Sequence, residues 1–77
     1  MKIEILGTGC AKCKKLYENA RQAVKDLDVN VEVVKVDDIQ DIMNAGVMMT
    51  PALAVDGDVK STGKLLGVDD IKKILTK

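Results

Sequence analysis

The sequence predicts an α/β fold in the order β-α-β-α-β-β-α, with a four-stranded mixed sheet and helices available for both of its faces. Three observations predict it. Apolar spacing switches between short β-type runs and helical stripes along the chain. The 35 residues from Lys2 to Val36 match the size of one βαβ unit with a right-handed crossover. Asp56-Gly57 lies between two further β-type runs and signals an antiparallel hairpin.

Each element has a local reason. Lys2 to Leu6 carries Ile3, Ile5 and Leu6 and reads as a short buried strand. Gly7-Thr8-Gly9 breaks it. Leu16, Ala20, Ala23, Val24 and Leu27 then draw one helical stripe, which Cys13 extends toward the core. Asp28 and Asn30 punctuate the end of that helix. Val29 to Val36 is a β-branched run and reads as the second strand. Asp37 or Asp38 can cap a short helix with Ile39, Ile42 and Met43 on one face, ended by Gly46. Pro51 opens the third strand, since proline is tolerated at a strand's first position and not in its middle. Val59 to Thr62 is the weakly apolar return strand. Val68, Ile71, Ile74 and Leu75 form the apolar face of a last helix, with Asp69 and Asp70 at its start and Lys77 at its end. Met48 and Met49 offer adaptable apolar surface to a partner, and at least one of them is expected in the core. Tyr17 is expected to be the core's single large ring.

Composition narrows the function. The chain has 77 residues, 47% of them apolar, and its 12 cations balance 12 anions. That is one globular domain over residues 1–77. Zero net charge and a single aromatic residue speak against nucleic acid as a partner. The absence of histidine removes Ser-His-Asp and Cys-His catalysis and His-ligated zinc or haem. The longest apolar run is Ala52 to Val55, too short for a membrane span. Met1-Lys2-Ile3-Glu4 has no signal-peptide character, so the expected compartment is the reducing cytoplasm.

The chemistry then falls to Cys10-Ala11-Lys12-Cys13. In a cytosolic chain beside a strand-helix-strand pattern, C-x-x-C reads as a redox pair. Cys10 falls at or just before the helix start, where unpaired N–H groups point. A free thiol ionises near pH ~8.5, so about 3% is thiolate at pH 7. Raising that fraction to about half requires about 2 kcal/mol of preferential anion stabilisation. The helix terminus supplies about 0.3–1 kcal/mol. Hydrogen bonds to the sulfur and the charge of Lys12 are candidates for the remainder. Cys10 is thus the candidate nucleophile and Cys13 the resolving thiol. Lys12, Lys14 and Lys15 crowd a first turn where acids are preferred, which suits either a tuned site or a solvated charged face. As a structural staple the pair is poor, because closing so short a loop stabilises a fold by only about 2 kcal/mol.

The element order and these motifs resemble the thioredoxin family in a short, glutaredoxin-sized form, similar to the small prokaryotic thioredoxin-like redox-active disulfide proteins. The resemblance spans essentially the whole chain. It rests on Gly7-Thr8-Gly9-Cys10-x-x-Cys13 at the first strand-helix junction, Thr50-Pro51 before the third strand, and the hairpin and helix that follow. It implies a thioredoxin-like three-layer α/β/α sandwich. It also implies that Pro51 is cis, packs against the cysteine pair, and leaves the Thr50 backbone to pair with an extended substrate. Glu4 stands six residues before Cys10, at the offset of the family's buried acid, and Lys35 matches a lysine of the next strand. Both are therefore candidates for proton transfer with Cys13, paired to each other; read as plain strand residues they are surface charges. Gly9, Ala11 and Lys12 depart from the family's Trp-Cys-Gly-Pro-Cys, which leaves potential and partner surface open.

The expected activity is that of a thiol-disulfide oxidoreductase. A disulfide-containing protein would be the substrate and a thioredoxin-type reductase or thiol reductant would recharge the pair. No cofactor or metal is expected beyond the Cys10–Cys13 couple, and the chain is expected to act as a monomer. The alternative is a small soft-metal carrier binding Cu(I) or Zn through the C-x-x-C pair. Against it, copper chaperones run β-α-β-β-α-β and end in a strand, whereas this chain ends in an amphipathic helix. A third reading is a docking module in which the pair is incidental.

Overall fold

The computed structural model describes residues 1–9 and 11–76. Its elements are β1 (Lys2–Leu6), α1 (Ala11–Leu27), β2 (Glu32–Val36), α2 (Ile39–Asn44), β3 (Ala52–Val55), β4 (Asp58–Thr62) and α3 (Val68–Leu75). The sheet order is β2-β1-β3-β4. β1 runs parallel to β2 and antiparallel to β3, and β3 pairs antiparallel with β4. The sheet is therefore mixed and four-stranded, as the order of elements predicts.

Side chains alternate across the strands and divide the core in two. Ile3, Ile5 and Leu53 face Leu16, Ala20 and Ala23 of α1 and Ile71 of α3. Leu6, Ala52 and Ala54 face the opposite way and pack with Ile42 of α2 and with Val47. The result is a three-layer α/β/α arrangement, with α1 and α3 on one face and the short α2 on the other.

Local chemistry explains the boundaries. Asp38 caps α2 by accepting a hydrogen bond from the Gln40 amide at 2.8 Å. Asp56 and Gly57 both adopt positive φ, 52° and 84°, the combination a two-residue type I′ hairpin requires. The Asp70 carboxylate accepts from the Gly67 amide at 3.3 Å where α3 begins. Asn19 Nδ2 donates to the Leu66 carbonyl at 2.9 Å and ties α1 to the approach to α3.

Three expectations change. The second strand begins at Glu32 and not at Val29. Asp28 turns left-handed at φ 51°, and the Val29 amide donates back to the Val24 carbonyl, so these residues close α1. Met48 and Met49 are both outside the core, at 95% and 63% exposure. Val47 takes the buried place in that loop, with its amide bonded to the Ile42 carbonyl. Tyr17 is only half-buried and packs at the margin of the core.

One ion pair links the two helices of the larger core. Lys72 Nζ of α3 lies 3.1 Å from Asp26 Oδ2 of α1, and Gln22 Nε2 donates to Asp26 Oδ1 at 2.7 Å. The hydrogen bond from Lys72, and after it that from Gln22, holds the Asp26 carboxyl below its usual range. A carboxylate favoured in the fold stabilises it above the ordinary aspartate range, and that contribution is lost as pH falls through the lowered value. Asp26→Asn should therefore flatten the acid limb of a stability-versus-pH curve, measured by urea denaturation between pH 2 and 6. An unchanged limb would show that the linkage contributes nothing. No described helix is long and apolar enough to cross a membrane.

Candidate functional site: a cleft at the start of α1

β1 ends at Leu6, and the chain turns through Gly7, Thr8 and Gly9 before α1 begins at Ala11. The Gly7 amide donates to the Val36 carbonyl at 2.9 Å, which anchors the turn to the end of β2. Cys13 sits in the first turn of α1 with its side chain buried, at 5% exposure. Leu16, Ala20 and Ala23 follow on the same stripe, so one amphipathic pattern both docks α1 and carries Cys13 inward. The expectation placed on Cys10 lies outside the described residues.

Gly7 is the contact point of the site. The position a Cβ would occupy there coincides with Cys13 Sγ, lies 3.2 Å from Cys13 Cβ, and lies 3.8 Å from Thr50 Cβ. The end of β1, the first turn of α1 and the loop before β3 therefore converge on a residue that has no side chain. In that loop the Thr50–Pro51 bond is cis, Thr50 is exposed and Pro51 is fully buried. The Pro51 carbonyl accepts from the Gly63 amide at 2.8 Å, so the loop is held to the end of β4.

Beside Cys13 a cleft of about 100 Å³ opens between α1 and the ends of β1 and β2. Ile5, Gly7 and Gly9 form one wall; Lys14, Lys35 and Asp37 supply its charges. A wider groove of about 770 Å³ runs between α1 and β2, past Tyr17, Arg21 and Val33, and has no cysteine among its described lining residues. The thiol chemistry belongs to the smaller cleft.

The candidate residues separate by face. Glu4 pairs across the sheet with Val34 and Ala54, on the α2 side with Leu6. Lys35 is the register partner of Ile5, on the α1 side. A one-residue difference along a strand reverses the face, so Glu4 and Lys35 do not form the expected pair. Ile5, not Glu4, reaches the cleft that holds Cys13. Lys35 does line that cleft, and its Nζ lies 4.5 Å from the centroid of the Tyr17 ring. Lys12 is exposed on the first turn, while Lys14 is the cation of that turn that lines the cleft.

Sequence reasoning passed over Gly7, Lys14 and Asp37. Asp37 had a legible signal, because it follows Lys35 by two residues and so continues the same face. Gly7 had none beyond its break in the strand, since the close approach of Cys13 is a tertiary contact.

A thiol buried beside two ammonium groups and one carboxylate, next to an exposed loop, suits thiol–disulfide exchange. The chain matches the family described as "Thioredoxin domain" over residues 1–76. It is 47% identical over 76 residues to a thioredoxin of Methanothermobacter thermautotrophicus, covering 99% of each chain. It is 42% identical over 73 residues to a thioredoxin of Methanocaldococcus jannaschii, covering 95% of this chain and 84% of that one. The end-to-end match, on a fold that buries Cys13 against the turn after β1, makes this chain a member of the thioredoxin domain family and a thiol-disulfide oxidoreductase.

Proposed function

We propose that the protein reduces protein disulfides through the Cys10–Cys13 dithiol, with Cys10 as the attacking thiol and Cys13 as the resolving one. The observation that carries this reading is the convergence of Cys13, Gly7 and Thr50 beside the cleft. The Cys10 thiolate attacks one sulfur of the substrate disulfide; a Cys10–substrate disulfide forms and the other substrate sulfur leaves as a thiolate that takes up a proton. Cys13 then loses its proton and attacks the Cys10 sulfur. The Cys10–Cys13 disulfide forms, and the second substrate sulfur leaves and is protonated. Two electrons pass to the substrate, so the couple needs no cofactor.

Each remaining assignment follows from position. Thr50, exposed before the buried Pro51, offers its backbone to an extended substrate segment. Lys12, between the cysteines in sequence, adds positive charge for the Cys10 thiolate. A thioredoxin-type reductase or a small thiol returns two electrons to the oxidised pair. A cycle that rests in the dithiol form suits a reducing compartment such as the cytoplasm.

The test is reduction of insulin disulfides by the wild type and two variants. Cys10→Ser should abolish turnover. Cys13→Ser should accumulate a mixed disulfide on Cys10, visible by intact mass. If both single variants turned over at the wild-type rate, the reading would fail.

A further inference from the structure

The cleft beside Cys13 contains no acid from the sheet. Ile5 stands where an inward-facing strand residue meets the cleft, and Glu4 is on the opposite face. The charges around Cys13 are instead Lys14 from α1, Lys35 from β2, and Asp37 just after β2. The loop of residues 46–51 adds no titratable side chain.

Of the two cations, Lys35 has its place set by a ring. Its Nζ lies 4.5 Å from the centroid of Tyr17, within the range where an ammonium is attracted to an aromatic face. The Arg21 guanidinium lies 5.7 Å from the same centroid. Tyr17 is in turn held by its packing against the α1–sheet core, four residues after Cys13 on α1. Residues four apart share a helix face, so the ring and the thiol are neighbours on the surface that Lys35 crosses.

We infer that Tyr17 is a positioning residue that holds the Lys35 ammonium in the Cys13 cleft, where it favours the thiolate Cys13 must become to resolve the mixed disulfide. This rests on the proposed roles of the two cysteines. In the step concerned, Cys13 gives its proton to solvent, its sulfur bonds to Cys10, and the Cys10–substrate S–S bond breaks with release of a thiolate. A cation beside the sulfur lowers the pH at which that proton leaves. Asp37 opposes this effect and Lys14 adds to it, so the contribution of Lys35 is read as a difference between variants. Burial makes Cys13 the thiol in need of such help, because removal from water disfavours the anion.

The experiment separates the two chemical steps. Reduced protein is mixed with one equivalent of 5,5′-dithiobis(2-nitrobenzoate). Attack releases the first aromatic thiolate; resolution releases the second. Lys35→Met should leave the first release unchanged, slow the second about tenfold at pH 7, and move its pH profile up by about one unit. Tyr17→Leu should slow the second release and shift its profile in the same direction. Tyr17→Phe, which keeps the ring, should retain the wild-type profile, and adding Tyr17→Leu to Lys35→Met should cause no further shift. Wild-type kinetics of resolution in Lys35→Met would overturn the inference. So would a Tyr17→Leu defect that persists in full on the Lys35→Met background, since Tyr17 would then act by packing alone. A failure of the cysteine assignment looks different: Cys10→Ser would keep the first release, or the wild type would give no second one.

Discussion

Gly7→Ala should cost this protein both stability and activity. The added Cβ would coincide with Cys13 Sγ and lie 3.2 Å from Cys13 Cβ. Neither side can yield easily. The Gly7 amide is bonded to the Val36 carbonyl at 2.9 Å, and Cys13 is held by the first turn of a 17-residue helix whose stripe is buried along its length. Overpacking of this kind costs about 1–3 kcal/mol. In a domain of this size each kcal/mol lowers the melting temperature by about 4–8 °C. Disulfide turnover should fall about tenfold or more, because the displaced sulfur is the one proposed to resolve the intermediate. A double-variant comparison isolates the cause. Gly7→Ala should cost less on a Cys13→Ala background, where the overlapping sulfur is gone. An equal cost on both backgrounds would place the damage elsewhere in the turn.

Leu16→Ala should produce the largest loss of stability from a single side chain on α1. Leu16 is fully buried and meets the sheet between Cys13 and Ala20 on the same stripe. Its neighbours Ala20 and Ala23 are too small to close the gap. Leucine-to-alanine changes in such sites cost about 2–5 kcal/mol, with the higher values where the surroundings cannot collapse. The whole domain, at about 0.05–0.15 kcal/mol per residue, is stabilised by about 4–12 kcal/mol. One truncation would therefore remove a large share of the total. Urea unfolding should show a midpoint well below that of the wild type with an unchanged slope. Lys15→Ala, one residue away and exposed, should stay within about 0.5 kcal/mol. A loss below about 1 kcal/mol for Leu16→Ala would mean that α1 is not held by this stripe.

Much of the architecture was legible because each element carries its own pattern. The α1 stripe, the Asp38 cap, the Asp56-Gly57 turn and the valine-rich β2 are local features, and local chemistry explains them. The misreadings occur where two local rules compete. Val29 fits a β-strand by composition, yet its amide closes α1. Met48 and Met49 look like core by hydropathy, yet they lie in a loop where Val47 already occupies the buried position. Hydropathy reports a preference for burial and carries no information about whether a second layer exists to provide it.

The site divides in the same way. Cysteine spacing, the glycine break and Thr50-Pro51 are properties of the chain, and from them the thiol chemistry and its family resemblance can be read before any coordinates. The partners of Cys13 are not. Which of Glu4 and Ile5 faces the thiol depends on strand register, and a shift of one residue exchanges the two faces. Lys35 reaches the cleft and the Tyr17 ring because β2 lies parallel beside β1 under α1, an arrangement made by contacts between distant segments. The sequence alone determined the α/β order and the thiol pair, since both are written in nearest-neighbour periodicity. Only the tertiary structure decided which charges surround the buried sulfur, because that depends on how the strands align and not on what any one of them contains.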